Sequence, residues 1–250
     1  MRYDTDIQKN KFVVLCLAIL GVAGVTFVSG IPAEKPQSRE EVIAEFTKLY
    51  YASNVHYRTK WLGVPSLQNP CDMWILQEII SEIKPDFIVE TGTFKGGGAL
   101  LLATVLRLVN EKGRILNVDI KPEIEQASRY AIFKDAVEVF TGSSVSEEIV
   151  KAIAKKVEGA RVMVTLDSDH AKRHVLRELE LYSQFVSVDS YLVVQDTAHN
   201  GHPLPTDYEG GGPMEAVREF LKKHKNFVSD RSREKFLLTF FPQGCLKRVS

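Results

Sequence analysis

The sequence predicts an α/β fold: a doubly wound, mostly parallel sheet of Rossmann type with a terminal antiparallel hairpin. Short apolar runs alternate with stretches of helical spacing, which is the pattern of successive βαβ units. The runs are apolar throughout, as in a parallel sheet that helices cover on both faces. Several runs end in a polar residue, where ligands bind in this architecture. The predicted strands are Phe87–Glu90, Ile115–Asp119, Val137–Thr141, Val162–Asp167 and Tyr191–Asp196.

Capping residues and helical spacing predict the helices. Ser38 and Glu41 form a capping box before the first helix, and Asp72 is expected to cap the second. We expect Trp61 and Trp74 in the core. The later helices are expected at Gly97–Asn110, Pro122–Phe133, Ser146–Val157, Ala171–Val186 and Met214–His224.

The carboxyl terminus predicts the hairpin. Lys235–Phe241 and Cys245–Val249 are apolar runs on either side of Pro242-Gln243-Gly244. Such a turn between two runs is typical of antiparallel strands.

Length and composition limit the classes of protein. At 250 residues, one domain with an appended segment is expected, and 32 basic against 32 acidic side chains give no net charge. A general nucleic-acid binder is excluded, because phosphate contacts need a basic surplus. The three cysteines (Cys16, Cys71 and Cys245) are too scattered for a disulfide framework or a thiolate metal site.

The amino terminus contains an apolar run of the kind that is typical of membrane-associated segments. Phe12–Val28 is a run of 17 residues without charge, roughly 25 Å long as a helix. We predict that residues 1–30 form a single-span anchor; a cleaved secretory signal and a buried helix are the alternatives. Ile31–Gln37, with two prolines, is predicted to be a linker to one domain at residues 38–250. The basic residues that flank the run are nearly balanced and do not decide its orientation.

A glycine-rich turn follows the first predicted strand. Glu90 precedes Gly92 and Gly96 in an acid-x-Gly-x-x-x-Gly spacing. Glycines before a helix let the backbone approach a ligand, and the helix amino terminus favours negative charge there. A dinucleotide fingerprint would need glycine where Phe94 stands, so the spacing favours a ligand with an amino-acid moiety. The alternative is a turn needed only for packing.

Two further strand ends complete a nucleoside site. Asp119 closes the second strand, where a carboxylate can accept hydrogen bonds from a ribose diol. Ser143 and Ser144 follow the third strand, where an adenine ring would be contacted. The alternatives are an aspartate that only caps its strand and a plain turn.

These motifs resemble the cephalosporin hydroxylase family, which includes rhamnosyl O-methyltransferases of glycolipid synthesis. The resemblance covers Val42 to Val249 and implies a class I methyltransferase-like fold that binds S-adenosylmethionine. The resemblance implies cofactor contacts at Glu90, Gly92, Gly96 and Asp119, and we also predict contacts from Thr93 and Ser143. The motifs that carry it are Asn69-Pro70-Cys71-Asp72, Gln77-Glu78-Ile79-Ile80, Lys84-Pro85-Asp86, Glu90-Thr91-Gly92-Thr93, Leu166-Asp167-Ser168-Asp169-His170, Gly212-Pro213 and Gly244-Cys245-Leu246-Lys247-Arg248.

Carboxylates at two strand ends predict a metal site. Asp167 and Asp196 end strands that lie side by side or nearly so, and oxygen ligands suit Mg²⁺. The resemblance implies that the ligands are Asp167, Gln195 and Asp196. Gln195 departs from the family pattern, because an amide stands where a second acid is expected. Alternatively, the two aspartates only cap their strands.

Several histidines are candidates for other roles. His170, beside the acids, is the predicted general base; its alternative is a supporting or helix-capping role. His199 and His202 are spaced like ligands but lie in the irregular stretch Thr197–Gly212, which we interpret as a mobile lid over the acceptor. His174 is expected on an exposed helix face.

Together these features predict a membrane-anchored, metal-assisted O-methyltransferase acting on a hydroxyl of a glycolipid sugar or another small molecule. Because S-adenosylmethionine is an intracellular cofactor, the domain is expected on the cytoplasmic side. A non-catalytic accessory protein of the same fold is the alternative that Gln195 favours. A nicotinamide-dependent oxidoreductase is disfavoured by Phe94. The sequence leaves a homo-oligomer open.

Overall fold

A seven-stranded sheet organises the chain. The computed structural model describes residues 37–250. The strands are β1 Lys60–Trp61, β2 Val64–Pro65, β3 Phe87–Thr91, β4 Arg114–Asp119, β5 Val137–Thr141, β6 Val162–Leu166, β7 Tyr191–Val194, β8 Phe227–Ser229 and β9 Cys245–Arg248. The helices are α1 Arg39–Ala52, α2 Pro70–Ile83, α3 Gly97–Val109, α4 Ala131–Ala136, α5 Glu147–Val157, α6 Lys172–Tyr182 and α7 Pro213–Lys223.

The sheet order is β5-β4-β3-β6-β7-β9-β8, and β1 pairs with β2 in a separate two-stranded sheet. Strands β3 to β7 are parallel, whereas β9 runs antiparallel between β7 and β8. This confirms the doubly wound fold. The chain leaves β3 toward β4 on one side and returns to β6 on the other, which makes this the switch point where ligands bind.

Two apolar layers cover the sheet. Alternate residues of the parallel strands, such as Ile88 and Val89, belong to different buried clusters. One cluster holds the apolar residues of α2 and α3, and the other holds those of α5, α6 and α7. The continuous apolar strands of the sequence are therefore explained by burial on both faces.

Two predicted elements differ in the structure. Pro122–Phe133 is not a helix: a 3₁₀ turn covers Ala127–Arg129, and α4 begins only at residue 131. The Glu123 N–H bonds to the Phe94 carbonyl (2.9 Å), which holds this segment against the glycine turn instead.

The terminal antiparallel pair uses a different first strand. Lys235–Phe241 is not a strand, because β7 and β8 already occupy both edges of β9. The predicted turn at Pro242-Gln243-Gly244 is present, with the Gly244 N–H bonded to the Phe241 carbonyl at 2.9 Å.

The capping box at Ser38 is confirmed, whereas the cap of α2 is Asn69 and not Asp72. The Asn69 side chain accepts the Cys71 N–H at 3.0 Å. Proline at position 70 suits the first helical residue because it has no N–H to satisfy, so the helix begins three residues earlier than predicted.

The two tryptophans lie in different surroundings. Trp61 packs against the core, and its indole N–H donates to the Thr104 hydroxyl at 3.3 Å. Trp74 is 58% exposed, which makes its predicted core position wrong. It lies on the outer face of α2, where its N–H donates to Glu78 one turn later (2.9 Å).

The predicted membrane anchor (residues 12–28), the alternative signal and most of the linker lie outside the described residues. Within residues 37–250, no helix combines the length and the hydropathy that crossing a bilayer requires. The domain boundaries stay a prediction.

Asp72 does not cap α2 but links the carboxyl-terminal segment to that helix by a hydrogen bond. Its side chain is 2% exposed, and its Oδ2 accepts the Phe240 N–H at 2.8 Å. Among the described residues, its Oδ1 has no hydrogen-bond partner. Burial raises the pKa of this carboxyl to about 7, although the Phe240 N–H opposes the rise.

Asp72→Asn should gain stability relative to the wild type as pH rises. The carboxyl pKa is higher in the folded chain than its ordinary 3.8. The stabilisation by the protonated Asp72 carboxyl is therefore fully present below the ordinary pKa of 3.8. It is lost as pH rises from there through the folded-state pKa of about 7. Asparagine keeps an acceptor for the Phe240 N–H and does not ionise. The variant's advantage in unfolding free energy should grow by roughly 3 kcal/mol between pH 5 and pH 8 in denaturant titrations.

The control is Asp86→Asn, at an exposed aspartate that also accepts a backbone N–H, from Arg161 at 2.9 Å. It should show no comparable gain, because water already solvates that carboxylate. An Asp72→Asn advantage that is independent of pH would contradict the role given to burial.

Candidate active site

A cavity of about 670 Å³ opens beyond the carboxyl ends of the parallel strands. Its volume is in the range of small-molecule sites. Among the predicted site residues, Glu90, Gly92, Thr93, Asp119, Ser143, Asp167, His170, Gln195 and Asp196 line it. Gly96 does not. It is the residue that caps α3, with φ +79°, and a Cβ there would meet Ala127 and not the cavity.

The glycine turn is shaped by the neighbouring strand. Gly92 has φ +86°, and a Cβ at this position would lie 1.9 Å from the Asp167 backbone oxygen. Packing therefore requires glycine at this position, and the cofactor contact of Gly92 stays a prediction. The missing side chain lets the paired ends of β3 and β6 approach closely, which brings Glu90 and Asp167 to one edge.

Asp119 is bonded to the glycine turn. One carboxylate oxygen accepts the N–H groups of Thr93 (2.7 Å) and Phe94 (2.9 Å), and the other accepts the Lys121 N–H at 2.7 Å. The second oxygen keeps an acceptor position toward the cavity that Asp119 lines. The side chain both fixes the turn and offers an acceptor to a ligand.

Glu90 is a buried acid with an amide partner. Asn117 donates from its side-chain nitrogen to the Glu90 carboxylate and accepts the Thr93 hydroxyl with its oxygen. Burial raises the Glu90 pKa to about 8, with a smaller contribution from the Asp119 charge. A positively charged ligand would stabilise the ionised carboxylate.

Asp167, His170 and Asp196 form a compact group. One ligand atom from each lies within 4.8 Å of the others. The His170 Nε2 is 3.2 Å from Asp196 Oδ2, and Gln68 donates to Asp167 Oδ2 at 2.9 Å. Burial raises the pKa of Asp167 well above its ordinary value, and the charges of Asp196 and Glu90 add to the rise. A cation between these groups would relieve both effects.

Gln195 lies beside this group. It is buried, and its side-chain nitrogen donates to the Thr165 hydroxyl at 3.2 Å. That bond leaves its carbonyl oxygen as the atom able to coordinate a cation. Two carboxylates and an amide oxygen form a donor set that fits a divalent cation such as Mg²⁺.

The sequence missed a polar cluster that also lines the cavity. His174, expected on an exposed face, lines the cavity with its Nε2 3.0 Å from the Ser144 hydroxyl. The buried Glu178 accepts the Ser168 hydroxyl at 2.7 Å and raises the His174 pKa. The spacing of His174 and Glu178, one helical turn apart, was the available signal.

The sequence also missed an aromatic end of the cavity. Tyr51 and His56 stack with ring centres 4.9 Å apart, and Tyr51 meets His199 edge-on at 5.6 Å. Tyr208 lies edge-on to both His170 (6.1 Å) and His199 (6.0 Å). These residues line the cavity together with Tyr57 and Phe240. They come from segments that are distant in the chain, so no local sequence pattern predicted this grouping.

Similarity to known proteins assigns the family. A family model described as rhamnosyl O-methyltransferase/CmcI matches residues 53–249. The chain belongs to this family. The rhamnosyl O-methyltransferase of Mycobacterium leprae (strain TN) is 32% identical over 212 residues, 84% of this chain and 91% of that protein. That of Mycobacterium tuberculosis (strain ATCC 25618 / H37Rv) is 33% identical over 216 residues, 84% and 86% of the two chains.

Solved structures share the fold. CmcI-N160 in its apo form has a TM-score of 0.58 at 14% identity, over 78% of this chain and 77% of that one. The structure described as cmcI-D160 Mg-SAM has a TM-score of 0.56 at 14% identity, over 78% of each chain. The protein is an S-adenosylmethionine-dependent O-methyltransferase, as the sequence predicted. The oxidoreductase and accessory alternatives are set aside.

Gly92→Ala should unfold far more easily than the wild type. The new Cβ would meet the Asp167 backbone, which cannot move without separating β3 from β6. We expect a loss of about 3 kcal/mol or more in unfolding free energy, from overpacking plus backbone strain. The measurement is a urea titration.

Gly63→Ala is the matched control. Its φ is +85°, but nothing lies within 4 Å of the new Cβ, so the loss should be only the strain of about 1 kcal/mol. Equal losses in the two variants would mean that the Gly92 contact is not what holds the strand ends together.

Proposed function

We propose that this protein transfers a methyl group from S-adenosylmethionine to a hydroxyl of a sugar, with help from a divalent cation such as Mg²⁺. The acceptor is a glycolipid or another secondary metabolite. The observation that carries the proposal is one shared cavity, lined by Glu90, Asp119, Asp167 and Asp196. The identity of 32–33% to rhamnosyl O-methyltransferases supports the sugar acceptor.

The cofactor would lie between the glycine turn and Asp119. The free acceptor position of Asp119 suits a ribose hydroxyl. Ser143 and the exposed Ile120 both line the cavity, and Ile120 offers an apolar surface for an adenine ring. Glu90 suits the ammonium group of the amino-acid moiety, which would neutralise its buried charge. When bound, the cofactor supplies an electrophilic methyl group on a sulfonium.

The cation would be held by Asp167, Gln195 and Asp196. Support comes from the raised pKa of Asp167, because burial and the charges of Asp196 and Glu90 all oppose its ionisation. A bound divalent cation stabilises negative charge on an acceptor oxygen. The CmcI relative described with Mg and SAM is consistent with this proposal.

His170 is the proposed general base. Its side chain is partly open to the cavity. Because Nε2 faces Asp196, the other ring nitrogen, Nδ1, is the atom that would take the acceptor proton. Asp196, 3.2 Å away, orients the imidazole and stabilises its protonated form. Holding the hydroxyl in line with the methyl group supplies most of the remaining acceleration.

The aromatic end of the cavity suits a sugar ring. Tyr51, Tyr57 and Tyr208 offer apolar ring surface together with hydroxyl groups. Burial raises the pKa of Tyr51 to about 12 and raises that of Tyr208, with the Asp196 charge adding to both. Near neutral pH these hydroxyls therefore stay protonated and can donate hydrogen bonds to an acceptor.

We propose further that the apolar run at residues 12–28 anchors the protein in a membrane, with the domain on the cytoplasmic side. The intracellular cofactor requires that side, and a glycolipid acceptor would share the same membrane. Protease accessibility of the domain in intact cells distinguishes this orientation from secretion.

Asp119→Ala should weaken binding of S-adenosylmethionine at least tenfold. The variant loses an acceptor for the cofactor and frees the N–H groups of Thr93 and Phe94, which loosens the turn. Calorimetry on the purified protein measures the dissociation constant.

The control for Asp119 is Asp86→Ala, which also removes a carboxylate that accepts a backbone N–H, but outside the cavity. It should bind the cofactor like the wild type. An absence of binding heat for the wild-type protein at millimolar cofactor would contradict the cofactor assignment itself.

Metal removal and His170→Gln test the reaction. Mass spectrometry of a rhamnosyl glycoside should show the gain of one methyl group, and chelation should abolish it until Mg²⁺ is restored.

His170→Gln should lower kcat about a hundredfold while the Mg²⁺ concentration for half-maximal activity stays the same, because the residue acts as a base.

The matched control is His224→Gln, at a histidine that stacks on Phe220 away from the cavity. If His170→Gln instead raised the Mg²⁺ requirement, His170 would be a ligand. Full activity after chelation would mean that the reaction does not need the cation. If no sugar that is tested gains a methyl group, the proposal of a sugar acceptor is wrong.

A further inference from the structure

Helix α1 carries an exposed apolar stripe. Val42, Phe46 and Leu49 are 50%, 53% and 68% exposed and lie at i, i+4 and i+7, so they share one face. Three apolar side chains in one row, on the surface of a single helix, indicate a contact with something else.

The inner face of the same helix reaches the cavity. Thr47 is buried, and Tyr50 and Tyr51 pack against Phe240 with ring centres 5.8 and 5.9 Å apart. Tyr51 also lines the aromatic end of the cavity. Whatever contacts the outer face of α1 is therefore one helix diameter away from the proposed acceptor site.

The sequence that precedes α1 points to a lipid bilayer as the partner in that contact. The apolar run ends at Val28, and nine residues separate it from Ser38, the cap of α1. Nine extended residues span at most about 30 Å. A bilayer that holds the run therefore lies within reach of the stripe at all times, and this tether makes even a weak surface contact effective.

We propose that the stripe of α1 rests on the surface of the lipid bilayer that holds residues 12–28, and so turns the aromatic end of the cavity toward a membrane-embedded glycolipid. This rests on the proposed function. The contact is apolar and not electrostatic, because Arg39 and Lys48 are outnumbered on α1 by Glu40, Glu41 and Glu45. Vesicles of zwitterionic phosphatidylcholine should therefore suffice.

Fluorescence quenching tests the contact without any assay of activity. The full-length protein is reconstituted in phosphatidylcholine vesicles with brominated acyl chains. The added emission of Phe46→Trp, relative to the wild type, should be blue-shifted and quenched. The control is Leu108→Trp on α3, at a site that is 82% exposed, and its added emission should stay unquenched.

Two results would overturn the proposal. Emission from position 46 that is neither shifted nor quenched means that the stripe faces water. Emission that is shifted but not quenched means that protein covers the stripe, either a second copy or the chain's own apolar run.

A kinetic comparison tests the consequence. The triple variant Val42→Gln, Phe46→Gln, Leu49→Gln should lose at least tenfold in kcat/KM for a rhamnosyl glycolipid in vesicles and keep its rate on a short, water-soluble rhamnoside. A control triple variant, Leu108→Gln, Val228→Gln, Val249→Gln, changes exposed apolar residues elsewhere and should alter neither rate.

Equal losses on both acceptors, or no loss on the vesicle-borne one, would contradict the proposal. If the wild type methylates neither acceptor, the proposed function fails, and the quenching experiment still decides whether the stripe contacts lipid.

Discussion

The close contact between the ends of β3 and β6 is the constraint on which the site depends. The Asp167 backbone occupies the space that a Gly92 side chain would need, so the two strands can end side by side. β7 pairs with β6 and brings Asp196 to the same edge. Glu90, Asp167 and Asp196 are thereby brought to one edge. Burial raises the pKa values of Glu90 and Asp167, and the charges of Asp196 and Glu90 add to the rise at Asp167. Such crowding is costly unless the ligands are positively charged, as a sulfonium cofactor and a divalent cation are.

Much of this arrangement was readable from the sequence, because it depends on local patterns. Strands that are apolar on both faces predicted the parallel sheet, and the polar residue that ends each strand predicted the edge at which the acids meet. The acid-x-Gly-x-x-x-Gly spacing predicted a turn, although Gly96 shapes the start of α3 and does not line the cavity. The roles of these residues in cofactor and metal binding stay predictions until they are tested.

Several features that the sequence did not predict depend on contacts between distant segments. Tyr51 and Tyr208 come together only because α1 and the segment after β7 both pack around Phe240 and His199. Asp72 has the pattern of a helix cap, yet its carboxylate holds the Phe240 backbone, 168 residues away. The first strand of the terminal pair was misplaced for the same reason, since an apolar run does not reveal which sheet edge is already occupied.

The central claim is that Asp167 and Asp196 share a cation beside the cofactor. Its most direct test is anomalous diffraction from crystals of the protein grown with Mn²⁺ and S-adenosylhomocysteine. The account predicts a single strong anomalous peak between the carboxylates of Asp167 and Asp196, with the nucleoside against Asp119 in the same cavity. A nucleoside bound there without any peak at the two aspartates, or a peak elsewhere on the protein, would contradict it.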